Sequence, residues 1–192
     1  MILAPKSPRR KEILENTGFN LEIISMEIEE ISDKTTNIEK IKDIAYKKTF
    51  AVAQKYKDRY VVGADTIVEL DGKIIGKPKD EKDAFNILKS LSGKSHNVIT
   101  AFSFINLDKN IKIVDYSITK VFFKKLDDEM MNWYISTKQP LDKAGAYGIQ
   151  DKGAVFVEKI EGDFFTVMGF PIEKFVSCLD SLNIRLNDIE KI

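Results

Sequence analysis

Tyr60-Val61-Val62-Gly63-Ala64-Asp65-Thr66-Ile67-Val68-Glu69-Leu70-Asp71-Gly72 joins an apolar, β-branched run to a dipeptide typical of tight turns. Valine, isoleucine, tyrosine and threonine favour strands, and Asp-Gly favours a two-residue hairpin loop. We therefore predict a strand over 60–70, a turn at Asp71-Gly72 and a return strand over 73–76. This hairpin is the starting point of a sheet that the rest of the chain must extend and cover.

Extended and helical patterns alternate on both sides of the hairpin. Capping residues and apolar stripes at helical spacing predict helices that begin near Ser7, Ile38, Asp80, Asp127 and Pro171. Further strands are predicted over 1–4, 21–25, 97–106, 111–123 and 153–160. This alternation predicts an α/β protein with a mixed, twisted sheet flanked by helices, and 192 residues suit one domain or one domain with two lobes.

The composition excludes several classes of function. The chain has 30 basic and 30 acidic residues, so no overall basic field exists to hold nucleic acid. A single cysteine, Cys178, rules out an internal disulfide framework and a Cys-rich zinc site. No apolar run approaches the ~20 residues of a membrane span, and Met1–Ala4 is too short for the apolar part of a signal peptide. We therefore expect a cytoplasmic protein without a nucleic-acid or membrane partner.

Ser7-Pro8-Arg9-Arg10-Lys11 has the signals of a helix start with unusual charge. Three cations beside the positive end of a helix dipole are unfavourable, whereas an anion bound to the exposed N–H groups would offset that repulsion. The segment therefore fits a triphosphate site, in which Ser7 and a guanidinium bind phosphate oxygens. A solvated basic helix start fits equally well.

Asp65 and Lys48 are charged residues in apolar surroundings. Asp65 is predicted at the end of a buried strand, where it could share Mg²⁺ with a second acid from Glu29, Glu30 or Asp33, or could be a turn or capping residue. Lys48 falls on the apolar stripe of the second helix. A lysine there either extends to solvent or points into a cleft.

Three further polar residues have competing interpretations. Lys77, in Gly76-Lys77-Pro78, could direct an ammonium at a phosphate or be an exposed turn residue. Gln150 follows a run of small residues, where a backbone could approach a flat ring and the amide could bind a base edge, or it could be a solvated loop residue. His96 is the sole histidine and is better explained as a hydrogen-bonded structural residue than as a base.

Together these segments resemble the Maf family of nucleoside triphosphate pyrophosphatases, nearly end to end from Ile2 to about Leu179. The matching segments are SPRRKEIL at 7–14, VVGADTIV at 61–68, GKP at 76–78, LSGKSHNVIT at 91–100, TKVFF at 119–123, DKAGAYGIQ at 142–150 and GFPI at 169–172. The resemblance implies a Maf/Ham1 (ITPase-like) α/β fold. Such a fold has an elongated mixed, twisted sheet flanked by helices, in a single domain over 1–192 with two lobes around a central cleft.

The resemblance also implies a reaction and a set of residues. The family cleaves a nucleoside triphosphate between the α- and β-phosphates with Mg²⁺ or Mn²⁺, and its members often form homodimers. Asp65 matches the proton acceptor. The other matches are Glu30 and Lys48 as further catalytic residues, Asp65 and Glu30 as metal ligands, and Ser7, Arg10 and Lys77 as phosphate-binding residues.

Arg9, Thr66 and Gln150 match the three specificity positions of the branch that hydrolyses dTTP and UTP, rather than the branch that acts on 7-methyl-GTP. Pro5 stands where the family usually has serine, so one phosphate donor is missing. The alternative prediction is a non-catalytic nucleotide-binding regulator of cell division or septum formation.

Overall fold

A mixed seven-stranded sheet and helices make up the protein in this computed structural model, which describes residues 1–4, 6–185 and 187–188. The strands are β1 (Ile2–Leu3), β2 (Glu22–Ile23), β3 (Val61–Leu70), β4 (Lys73–Ile75), β5 (Ser95–Asn106), β6 (Ile111–Phe123) and β7 (Val157–Glu161). Their hydrogen-bonded order is β2-β1-β3-β5-β6-β7, and β4 pairs with β3 outside this path. β1 is parallel to β2 and β3, whereas β3–β4 and β6–β7 are antiparallel. The predicted mixed α/β class is confirmed.

Five of the helices begin at or near the positions that the sequence indicates, whereas the short helix Phe164–Met168 was not predicted. The side chains of Ser7, Asp80 and Asp127 each accept a hydrogen bond from the backbone N–H three residues later, as N-cap residues do. Thr36 and Glu39 form a reciprocal capping box at the start of the second helix. The helices are α1 (Pro8–Asn16), α2 (Asn37–Ala53), α3 (Glu81–Leu91), α4 (Asp128–Ser136), α5 (Phe164–Met168) and α6 (Ile172–Ser181).

The hairpin after β3 has the backbone that its sequence predicts. Asp71 and Gly72 have φ angles of 51° and 77°, and two consecutive positive φ values define the type I′ turn that suits the twist of paired strands. The prediction for 153–160 was wrong in its first half, where Lys152–Phe156 is a 3-10 helix and the strand begins only at Val157. Asp151 caps this 3-10 helix by accepting from the Gly153 N–H, which favours a tight turn over an extended chain.

The chain divides into two compact units with separate cores. Unit 1 comprises Met1–Asp65, Thr100–Ser117 and the chain from Gly169 onward, and unit 2 comprises Thr66–Ile99 and Ile118–Met168. Within the described residues, no helix combines the length and hydropathy that a membrane span requires.

Unit 1 packs α2 and β1 tightly against the first half of β3. A β-carbon at Gly63 would overlap both the Ala4 carbonyl oxygen and the Thr49 hydroxyl. Thr49 lies on α2, is fully buried, and donates to the Ala45 carbonyl one turn earlier at 2.8 Å. The absence of a side chain at Gly63 therefore sets how close α2 lies to the strand.

Unit 2 has an aromatic core in which His96 is a structural residue. His96 is 3% exposed, and its Nε2 lies 2.7 Å from the Tyr147 hydroxyl. Its ring packs edge-on against the rings of Phe123 and Tyr147. Burial lowers the pKa of His96 to about 4, so the imidazole is neutral at physiological pH. The structural interpretation of this histidine is confirmed.

We expect Gly63→Ala to destabilise the protein, since the methyl group can be accommodated only if α2 or β1 moves. Overpacking of this kind costs about 1–3 kcal/mol of unfolding free energy, measurable by urea denaturation. Gly76→Ala is the matched control, because a β-carbon at Gly76 meets no atom within 4 Å. Equal stability of the two variants would contradict the close-approach role of Gly63.

We expect His96 to make stability depend on pH in an acidic window. The unfolded histidine binds a proton near pH 6.5, whereas the folded one binds it only near pH 4. Above pH 6.5 the neutral histidine therefore does not lower the free energy of unfolding. As the pH falls towards 4, that free energy decreases by up to about 3 kcal/mol. The measurement is urea denaturation of wild type and His96→Gln at each pH. If the difference between their unfolding free energies stays constant from pH 7 to 4, this prediction is wrong.

Candidate functional site

A buried lysine joins two carboxylates in unit 1. The Lys48 ammonium nitrogen lies 2.8 Å from Asp65 Oδ1 and 2.8 Å from Glu30 Oε2. Only 8% of the lysine side chain is exposed, against 17% for Asp65 and 59% for Glu30. Lys48 therefore does not extend into bulk solvent, and three of the residues singled out from the sequence meet at one place.

Asp65 lies within a strand, not at its end. β3 runs from Val61 to Leu70, which confirms the predicted strand over 60–70, whereas the interpretation of Asp65 as the end of a buried strand was wrong. The strand continues because the following residues, Thr66 to Val68, are β-branched and favour extended backbone. Lys48 reaches Asp65 from α2, and the close approach at Gly63, two residues earlier in β3, holds α2 near this strand.

The irregular segment between β2 and α2 carries Glu30 and is fastened to α2 beside it. The Lys47 ammonium donates to the Ile31 carbonyl at 2.8 Å and pairs with Asp43 Oδ2, also at 2.8 Å. Sequence reasoning passed over Lys47. Its one available signal is the i,i+4 spacing from Asp43, which is common on solvated helix faces. These contacts explain how a residue in an irregular segment stays next to Lys48.

The start of α1 carries the predicted Ser7 and Arg10. The Ser7 hydroxyl accepts from the Arg10 N–H at 3.4 Å, and a hydroxyl that accepts still has its own proton to donate. The Arg10 side chain is held through Nε, which donates to the Gly169 carbonyl at 2.9 Å. Pro5, at which the family's serine is missing, lies outside the described residues.

The charges of this unit act on one another. Burial lowers the pKa of Arg10, the carboxylates of Asp65 and Glu30 oppose that effect, and the positive charge of Arg9 adds to it. A guanidinium stays protonated at all ordinary pH values. The start of α1 and the Lys48 contacts therefore belong to one electrostatic neighbourhood with two arginines, one lysine and two acids.

The remaining predicted residues lie in unit 2. Thr66 follows Asp65 in β3, and Lys77 is exposed just after β4. Gln150 is exposed in a turn between two 3-10 helices, Ala144–Ala146 and Lys152–Phe156. The turn around Gln150 rests on a buried polar network that sequence reasoning did not identify.

The donor set of unit 1 suits a divalent cation that is shared with a substrate. The carboxylates of Asp65 and Glu30 already converge on one cationic group, the Lys48 ammonium. Mg²⁺ commonly takes one or two carboxylates and completes its shell with substrate phosphates and water. Within residues 1–4, 6–185 and 187–188, no three His, Cys, Asp or Glu side chains group into a metal cage. The two convergent carboxylates match the part of a Mg²⁺ shell that a protein commonly supplies.

A cleft of about 710 Å³ opens between α2 and the segment that carries Glu30. Neither Lys48 nor Asp65 lines it, so the cleft is separate from their contact, whereas Lys47, Asp43 and Ile31 contribute to its wall. Its lining residues are Ile28, Glu29, Ile31, Asp33, Asp43, Lys47, Phe50, Ala51 and Gln54.

Comparison with known proteins gives full-length relatives. A protein of Fusobacterium nucleatum named dTTP/UTP pyrophosphatase is 52% identical over 192 residues and covers 100% of both chains. A protein of Alkaliphilus oremlandii with the same name is 51% identical over 176 residues, 91% of each chain. The solved Ham1 protein of Staphylococcus aureus is more distant, with a TM-score of 0.46 and 16% identity over 64% of this chain and 70% of that one.

The family model described as Maf-like protein matches residues 1–182. The match spans both units, including α1, the Lys48 contacts and the turn at Gln150. This chain therefore belongs to the Maf family.

Proposed function

We propose that this protein hydrolyses dTTP and UTP to the nucleoside monophosphate and pyrophosphate. The observation that carries the proposal is the contact of Lys48 with Asp65 and Glu30 beside the start of α1. The comparisons support the proposal, because relatives that are 48–52% identical to this chain are named dTTP/UTP pyrophosphatase.

Asp65 is the proposed proton acceptor. A carboxylate has two oxygens, and Lys48 holds Oδ1 at 2.8 Å, which fixes the direction of the other. A water molecule attacks the α-phosphorus, its proton passes to Asp65, and the bond to the α–β bridging oxygen breaks. The products are the monophosphate and pyrophosphate. Positioning of the water by a fixed base is the contribution that general base catalysis requires.

Ser7, Arg10, Lys48 and Lys77 are the proposed phosphate ligands. The α1 N-terminus supplies backbone N–H groups and a positive dipole end, which favour phosphate. Arg10 adds a guanidinium whose position is fixed through Nε, and such donors bind phosphate oxygens in pairs. Charge complementarity of this kind is the main source of catalysis at developing negative charge.

Mg²⁺ or Mn²⁺ is part of the proposal, with Asp65 and Glu30 as its protein ligands. When bound, the ion would neutralise phosphate charge and favour departure of pyrophosphate. Lys48 contacts both carboxylates and would keep them oriented before substrate arrives.

Arg9, Thr66 and Gln150 are the proposed specificity residues. The Gln150 amide can donate to a carbonyl oxygen and accept from an N–H of a uracil or thymine ring. A homodimeric state and a cytoplasmic location are also proposed, and both rest on the family resemblance.

We expect the purified protein to release pyrophosphate from dTTP and UTP with Mg²⁺ or Mn²⁺, and to lose this activity with a chelator. CTP, GTP and 7-methyl-GTP should be poorer substrates. Release from 7-methyl-GTP alone would contradict the roles of Arg9, Thr66 and Gln150. Tight equilibrium binding of UTP without release from any nucleotide would favour the non-catalytic regulator.

We expect Asp65→Asn to lower kcat at least about a hundredfold, since general base catalysis contributes 10²–10⁴-fold. The fold should persist, because asparagine has nearly the same shape and Glu30 still pairs with Lys48. Asp115→Asn is the matched control, since Asp115 pairs with Lys174 at 3.1 Å in the same unit. Wild-type turnover in Asp65→Asn would remove Asp65 from the mechanism.

A further inference from the structure

The turn that carries Gln150 is held on both sides by one buried tyrosine. The Tyr134 hydroxyl accepts from the Gly148 N–H at 3.1 Å and donates to Asp151 Oδ1 at 3.1 Å. Tyr134 lies on α4 and is fully buried. The hydroxyl therefore makes one hydrogen bond as an acceptor and one as a donor, and both partners lie within two positions of Gln150.

Asp151 and Lys143 extend this contact into a network. Asp151 Oδ1 also accepts from the Gly153 N–H at 2.9 Å, and its Oδ2 lies 3.3 Å from the Lys143 ammonium. Lys143 is only 8% exposed and further contacts the Gln139 carbonyl at 2.6 Å and Asp142 Oδ1 at 2.8 Å. Lys143 thus links Gln139 and Asp142, which precede it, to Asp151, which follows Gln150.

Two glycines let the network close. A β-carbon at Gly148 would overlap Asp151 Oδ2 and lie 2.8 Å from Lys143 Cε. A β-carbon at Gly153 would lie 2.7 Å from the Gly148 carbonyl oxygen and 3.0 Å from the Tyr134 hydroxyl. The close packing of the turn therefore depends on the absence of side chains at both positions.

A network of this kind is a poor device for stability alone. Removal of a lysine and a carboxylate from water is unfavourable, and apolar residues of the same volume often stabilise a core as well or better. A buried polar network does, however, define one arrangement of the backbone when every member is satisfied. Gln150 lies between Gly148 and Asp151 in this arrangement, and its side chain is exposed to solvent.

We propose that Tyr134, Lys143 and Asp151 are positioning residues that fix the backbone at Gln150 and thereby set the discrimination between pyrimidine bases. This inference rests on the proposed function. Uracil and thymine offer an N–H donor beside a carbonyl acceptor, whereas cytosine offers a ring-nitrogen acceptor beside an amino donor. An amide can pair with either edge after rotation, so selectivity requires that its position relative to the base be fixed.

The test compares Tyr134→Phe and Asp151→Asn with wild type. Both variants keep the shape of the side chain, and each removes hydrogen bonds or charge from the network only. Thr119→Val is the matched control, because it removes another buried hydrogen bond of unit 2, from Thr119 Oγ1 to the Asp163 carbonyl at 2.8 Å. The measurements are kcat and KM for UTP, dTTP and CTP, together with Tm.

We expect Tyr134→Phe and Asp151→Asn to raise KM for UTP and dTTP about tenfold, within the range that small misplacements produce, and to narrow the preference for UTP over CTP. Gln150→Ala should also reduce the preference for UTP over CTP. Thr119→Val should lower Tm while it keeps the wild-type KM and preference. If Tyr134→Phe and Asp151→Asn change Tm alone, the network is structural and the inference is wrong.

Different results would contradict this inference and the proposed function. If the wild type releases no pyrophosphate from UTP or dTTP, the proposed function is wrong. Equilibrium binding of UTP to the same variants then decides the inference. A weaker Kd in Tyr134→Phe and Asp151→Asn, but not in Thr119→Val, would support positioning, and an unchanged Kd would overturn it.

Discussion

The absence of a side chain at Gly63 is the constraint on which the packing of unit 1 depends. Because a β-carbon there would overlap both Ala4 and Thr49, β1, β3 and α2 can pack together only around glycine. That packing places Lys48 within hydrogen-bonding distance of Asp65. The contacts of Lys48 with the carboxylates are thus a consequence of backbone proximity. The aliphatic part of Lys48 lies on the apolar stripe of α2, and its ammonium contacts Asp65 and Glu30.

The same principle recurs in unit 2 with different chemistry. Gly148 and Gly153 allow the chain to fold back on itself around Tyr134 and Asp151. In unit 1 the close approach of backbone brings Lys48 to Asp65, whereas in unit 2 it holds an exposed glutamine in a defined turn. Both arrangements keep buried charges paired, which is necessary because an unpaired charge in a core is strongly unfavourable.

The distribution of charge in unit 1 would allow a protein with no net charge to bind the proposed substrate, a highly charged anion. Arg9, Arg10 and Lys48 lie in one neighbourhood, and Asp65 and Glu30 offset part of their charge. Such a mixture does not attract polyanions over long distances. It does suit a triphosphate with a divalent cation, which itself carries both signs of charge and needs both kinds of ligand.

Local chemistry in the sequence determined the mixed α/β class, the helix starts at Ser7, Asp80 and Asp127, and the Asp71-Gly72 turn, because each depends on residues within a few positions of one another. The resemblance to the Maf family identified Glu30, Lys48 and Asp65 as candidate catalytic residues. Only the tertiary structure decided that Lys48 pairs with both acids, that Lys47 fastens the segment carrying Glu30, and that Lys143, Tyr134 and Asp151 form one network. These contacts join residues from different elements, and helical or strand periodicity carries no information about which elements pack together.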